Sequence, residues 1–174
     1  NPKANRTILS GDLGETTDSD NCYHVVTAAS DGLLDGFIIL KGNANGLSED
    51  GVGAGLLLPK GTTDFALANC TFEKNNASWQ GGGIFADTAS LALTNCMFFS
   101  NAANSGAALA TKGHTTLRMV DTFFSSNFST HSGGAIELQS EIEAFISGCS
   151  FMYNRSEGNG GAASIKITGN QPAQ

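Results

Sequence analysis

The chain has 174 residues and a formal net charge of −7, from 9 Lys and Arg against 16 Asp and Glu, with no basic run to reverse it locally. That balance argues against nucleic acid and anionic membrane surfaces as partners. Hydrophobic residues make up 40% of the chain, charged residues only 14% and glycines number 22, a composition that excludes disorder and suits one elongated, turn-rich domain spanning residues 1–174.

In chain order, residues 7–9 read as a first strand and residues 11–21 as an acidic loop, GDLGETTDSDN. Its carboxylates Asp12, Glu15, Asp18 and Asp20 are the candidate ligands for a hard cation such as calcium, which favours clustered oxygens on a flexible loop. The spacing is not that of an EF-hand, and solvated loop carboxylates are commonplace. Residues 23–27 and 33–40 read as the next strands. Residues 34–44 align without a gap to residues 67–77, pairing Ile39 with Phe72 and Gly42 with Asn75. Residues 45–53, NGLSEDGVG, are an insertion that lengthens this repeat to 33 residues and should emerge as a surface loop.

From residue 67 to 167 one motif is written four times: NCTFEKN, NCMFFSN, DTFFSSN and GCSFMYN. Its phenylalanines, Phe72, Phe98, Phe124 and Phe151, lie 26, 26 and 27 residues apart. Each motif ends in an asparagine, Asn75, Asn101, Asn127 or Asn154, and is followed by a small-residue cluster, GGGI, GAAL, GGAI or GGAA. Apolar residues recur at spacing two in short bursts, as in Leu91 and Leu93 or Ile84 and Ala86, and no window sustains a helical stripe. Three short strands per repeat, none able to bury its apolar face alone, are satisfied by winding into stacked coils. The pattern therefore predicts an all-β parallel β-helix of about six coils, each of roughly 26 residues.

Stacking makes columns, and the columns test the idea. One inward column is Phe37, Cys70, Cys96, Thr122 and Cys149; its neighbour is Ile39, Phe72, Phe98, Phe124 and Phe151. A further column is Leu56, Ile84, Leu109, Ile136 and Ala163. The asparagines form a ladder where each coil turns. They are expected to accept a left-handed backbone there and to bond to the coils above and below.

Tandem FxxN followed by GGA and an aliphatic residue resembles the repeat of the polymorphic outer membrane protein family, known best as chlamydial autotransporter adhesins. The earlier segment, ILSGDLG through SDNCYHVV to LLDGFIILKGNANG, resembles the opening coils of secreted bacterial right-handed β-helix proteins. The resemblance implies a right-handed β-helix, a secreted or cell-surface setting, and adhesion. At ~4.8 Å per strand step six coils make a rod only ~30 Å long, which suggests a piece of something longer.

Function is the harder reading, because a fold hosts many activities. The cysteines read as buried filler, with Cys149 two rungs from Cys96 and so a free thiol, and Cys22 the most exposed. Sequons occur at Asn5, Asn69, Asn76, Asn127 and Asn154, of which the last two lie in the turn ladder, where a glycan is hard to place. Enzymes of this fold need paired carboxylates, or calcium beside a basic residue; Asp121, Arg118 and Asp35 are thin candidates, and His24, His114 and His131 fall in three different repeat positions. If Cys70 and Phe72 point inward, alternation sends Ile38, Met97 and Phe123 outward, with Leu40, Phe99 and Met152 two residues further on. These six side chains are the candidate partner-binding face. The expected function is a non-catalytic surface module for adhesion or structural assembly, with a carbohydrate-active lyase-like or hydrolase-like fragment as the alternative. Expected partners are a host or neighbouring-cell surface protein or glycan, or a second copy of the chain; no membrane insertion and no cofactor other than calcium is expected.

Overall fold

The computed structural model describes residues 6–14 and 17–166. Each coil has four walls, all parallel-paired to the coils on either side. Wall 1 is built from Thr7–Ser10, Phe37–Leu40, Thr71–Glu73, Met97–Phe99, Phe123–Ser125 and Ser150–Met152. Wall 2 is Asn43–Ala44, Asn76–Ala77, Ala102–Ser105, Phe128–Ser132 and Arg155–Ser156. Wall 3 is Val26–Thr27, Leu56–Leu58, Ile84–Asp87, Leu109–Lys112, Ile136–Gln139 and Ala163–Lys166. Wall 4 is Leu33–Asp35, Phe65–Ala68, Ser90–Thr94, Thr115–Val120 and Ile142–Ser147. The chain is thus an all-β parallel solenoid of about six turns, about 27 residues apart.

The register is the one the columns require. Ile39 pairs with Phe72, Phe72 with Phe98, Phe98 with Phe124 and Phe124 with Phe151. The four rings stack almost parallel with centroids 4.9, 4.9 and 4.6 Å apart. Phe72, Phe98 and Phe124 are fully buried, whereas Phe151 on the last described coil is half-buried. Across the coil, Leu56, Ile84, Leu109 and Ile136 of wall 3 close the core with Leu67, Leu91, Leu93 and Leu117 of wall 4. Burying a large apolar side chain contributes roughly 1.5–3 kcal/mol, so each coil is held mainly by the four or five such residues it contributes.

Three expectations need correction. Each of the four inner coils has four strands rather than three, because wall 2 strands such as Asn76–Ala77 are short and carry no apolar alternation to reveal them. The strand expected over residues 23–27 shrinks to Val26–Thr27, and residues 33–40 split into two strands around Gly36, whose φ is 80°. The left-handed residue of the FxxN turn is not the asparagine but the one before it: Lys74, Ser100, Ser126 and Tyr153 have φ of 54°, 54°, 57° and 56°.

The asparagines are instead fixed by their side chains. Asn101 Nδ2 donates to Phe72 O and to Asn127 Oδ1, both at 3.0 Å, while its Oδ1 accepts from Asn75 N and Asn75 Nδ2, both at 3.1 Å. Asn127 repeats the arrangement toward Asn154. Buried amides so paired satisfy themselves and a backbone N–H that the corner leaves without a sheet partner. The first glycine of each small-residue cluster has a different cause. Gly81, Gly106, Gly133 and Gly160 have φ of 63°, 56°, 61° and 67°, the region that glycine enters at least cost.

Candidate partner-binding face

The outer side of wall 1 carries all six side chains read as the candidate face. In register along the rod run Ile8, Ile38, Thr71, Met97, Phe123 and Ser150, and beside them Ser10, Leu40, Glu73, Phe99, Ser125 and Met152. Met97 and Phe99 are each 41% exposed and Met152 43%, while Ile38, Leu40 and Phe123 are half-buried. Alternation is the cause: their neighbours Phe98 and Phe124 face the core, so the pleat turns these outward.

The face is not continuous. Thr71 and Glu73 divide it into an Ile8, Ile38 and Leu40 group and a larger Met97, Phe99, Phe123 and Met152 group. Glu73 pairs with Lys74 at 3.0 Å, and Arg6 Nη1 donates to Thr71 Oγ1 at 2.9 Å, so the divide is polar. Along the corner between walls 4 and 1 a cavity of about 380 Å³ borders Met97 and is lined by Arg6, Asp35, Asn69, Cys70 and Asn95. A second polar ladder edges it: Asn95 Nδ2 donates to Asn69 Oδ1 at 2.6 Å, and Asn69 Nδ2 to Asp35 Oδ1 at 2.7 Å. The larger apolar group is therefore rimmed on one side by fixed amides and a carboxylate.

Asp12 forms an ion pair with Lys41, which holds its carboxyl below the usual carboxylate value and raises the lysine in turn. Asp18 and Asp20 lie in a single helical turn, Asp18–Asp20, where Asp18 Oδ1 takes a long 3.4 Å bond from Asn21 Nδ2. Glu15 lies outside the described residues. Among the described residues no three His, Cys, Asp or Glu side chains gather where they could hold a metal.

All four cysteines are free thiols. Burial pushes the Cys96 thiol up to about 12, and Cys70 and Cys22 upward as well. Cys22 and Cys149 are half-buried whereas Cys70 and Cys96 are buried, so Cys149 is less covered than the other cysteines of its column. Of the sequons, Asn69 and Asn76 are exposed, Asn127 is buried with its amide in the ladder, Asn154 is half-buried there too, and Asn5 lies outside the described residues.

One feature was not read from the sequence at all. The outer side of wall 3 carries a groove of about 560 Å³ between the 45–53 insertion and the ends of the wall 3 strands. The chain's single tryptophan, Trp79, stands at its edge, 57% exposed. A lone Trp opposite an insertion was the available signal.

Together these features define a repeat protein, a parallel β-solenoid with a rigid ladder inside and flat walls outside. Residues 69–87 and 121–139 match the family model described as the Chlamydia polymorphic membrane protein repeat. It is also 29% identical over 118 residues to the metabotropic glutamate receptor-like protein R of Dictyostelium discoideum, a stretch covering 68% of this chain but 7% of that protein. No solved structure matches the chain. Among the described residues no helix is long and apolar enough to cross a membrane.

Proposed function

We propose that the chain is a non-catalytic, extracellular or cell-surface β-solenoid module that attaches to a protein partner through the outer face of wall 1. The observation that carries this reading is the outward-facing group of exposed Met97, Phe99 and Met152 with half-buried Phe123 on a register-locked sheet. Contiguous exposed apolar side chains with a polar rim are the anatomy of an interface, and aromatic anchors dominate such contacts. Each ring or thioether covered by a partner contributes roughly 1.5–3 kcal/mol. The match to a polymorphic membrane protein repeat supports a surface setting, and that repeat family is not a family of enzymes.

The partner is a protein on a neighbouring cell or a second copy of this chain, and the test separates them. Wild type and the Phe99→Ser, Phe123→Ser double variant are compared by light scattering for self-association and by binding to cultured cells. The double variant should keep its fold, because neither ring enters the core, and should lose whichever attachment the wild type shows. A variant that folds and attaches as well as wild type refutes the face.

A further inference from the structure

We propose that the groove over wall 3 is a second binding site, for a neutral oligosaccharide, with Trp79 as its stacking platform. It is independent of the wall 1 face. Within each coil, wall 2 separates walls 1 and 3 on one side and wall 4 separates them on the other.

The platform is built rather than incidental. Trp79 N donates to Gly51 O at 3.0 Å, pinning the residue to the 45–53 insertion. The indole lies so close that a Cβ at Gly51 would meet Trp79 Cδ1 at 2.5 Å, so the insertion packs against the pyrrole part of the indole while more than half of the residue stays open. An indole held at the groove edge and open to solvent suits the C–H face of a pyranose ring, whose partly positive hydrogens meet the negative face of the indole.

The rest of the groove supplies what sugar hydroxyls need. At the far ends of the wall 3 strands Asp87 and Lys112 are register neighbours, 3.5 Å apart as an ion pair, with Gln139 on the following coil. Their polar heads therefore recur at about one strand step, ~4.8 Å, along the groove. On the near side Gln80 is held in place by a buried carboxylate: its Nε2 donates to Glu137 Oε2 at 3.1 Å, while Glu137 Oε1 takes bonds from Ser132 Oγ and from Lys166 Nζ. A fully buried Glu so tied fixes the Gln80 amide beside Trp79 and leaves its carbonyl oxygen as an acceptor. The volume is within the range of small-ligand sites.

Charge and topology choose the ligand class. Lys60 and Lys112 face Glu49 and Asp87 in the lining, so the groove is balanced and a polyanionic glycan gains nothing from it, least of all on a chain of net charge −7. A peptide is poorly served too. Each inner strand of wall 3 is already paired on both sides, which leaves no edge for strand addition along the groove, and the apolar floor, Leu57 and Phe85, is buried.

Because Trp79 is the chain's single tryptophan, its emission reports on the site directly. The protein is titrated with cellohexaose, N-acetylchitohexaose and mannohexaose, with a heparin hexasaccharide and an unrelated decapeptide as controls, and binding is measured in parallel by calorimetry. At least one neutral oligosaccharide should shift the emission and bind. Trp79→Ala should lose that binding by roughly tenfold or more, Asp87→Ala should weaken it, and Phe99→Ser should leave it unchanged. Circular dichroism confirms that each variant folds; if Trp79→Ala does not, Asp87→Ala together with the wild-type emission shift decides. Silence toward all three neutral sugars, a response to heparin or the peptide alone, or full binding by a folded Trp79→Ala overturns the assignment.

Discussion

Replacing Asn101 by Ala removes one rung of the internal amide ladder and little else. Four hydrogen bonds go: two that Nδ2 donates, to Phe72 O and Asn127 Oδ1, and two that Oδ1 accepts, from Asn75 N and Asn75 Nδ2. The backbone N–H of Asn75, fully buried, is left without its acceptor, at about 1–3 kcal/mol, and the other three bonds are worth about 0.5–1.5 kcal/mol each. Some partners survive: Asn75 Nδ2 keeps Ile39 O at 3.1 Å, and Asn127 Oδ1 keeps the Asn101 backbone N–H at 3.0 Å. The lower part of the summed range, roughly 3–4 kcal/mol, is therefore expected, a large share of the ~5–15 kcal/mol that holds a domain of this size. Urea unfolding reads the total, and hydrogen exchange of the Asn75 amide reads the cause. Asn104→Ala, on the half-buried outer part of the same coil, is the control and should change stability by less than about 0.5 kcal/mol. A loss below about 1 kcal/mol for Asn101→Ala, with Asn75 protection unchanged, refutes the reasoning.

Three further outcomes are expected. Phe98→Ala should cost about 3–5 kcal/mol in urea unfolding and Phe99→Ala less than about 1, since one ring stacks in the core and the other faces outward; the reverse order sinks the inside–outside assignment. At pH 8 a thiol reagent should leave Cys96 and Cys70 unmodified while Cys149 reacts, because burial raises both core thiols and covers them; mass spectrometry of the labelled peptides checks this, and rapid labelling of Cys96 contradicts it. The Asp12 carboxyl, lowered by Lys41, should titrate below the ordinary 3.8 in a carbon-detected NMR titration, and Lys41→Met should return it upward. With a depressed folded value, the tie between loop and coil is complete above the ordinary carboxyl value and is lost as pH falls through the lowered one; an Asp12 midpoint at or above 3.8 in the wild type disproves the pairing.

The columns were legible because each repeat is read against the next: Phe72, Phe98 and Phe124 could be placed inside, and Met97 and Phe123 outside, from phase alone. What phase cannot show is what a side chain does once placed. The asparagines were legible as a ladder, but the left-handed residue proved to be Lys74 or Ser100, since Asn75 and Asn101 are retained for their amides and not for their backbone. Wall 2 escaped because two-residue strands such as Asn43–Ala44 have no period to detect. The wall 3 groove depends on the insertion folding back onto Trp79, a contact between a unique segment and a unique residue, and column alignment is blind to features that occur once.

The solenoid imposes a second reading frame on its gene, counted in residues. A single codon lost within Ser90–Thr94 would turn the following strand inside out, putting Phe99 in the core where Phe98 stands. A whole coil of 26 or 27 residues can be added or removed in frame, because the ladder bond from Asn75 to Asn101 is the same bond that runs from Asn101 to Asn127. The arch between walls 2 and 3 is free of this arithmetic, and it is there that the 33-residue repeat holds its extra length without shifting Ile39 from Phe72. Copy-number change and arch insertion are thus two edits the architecture admits, and they leave its length and its arch-borne surfaces open to change while its interior stays the same.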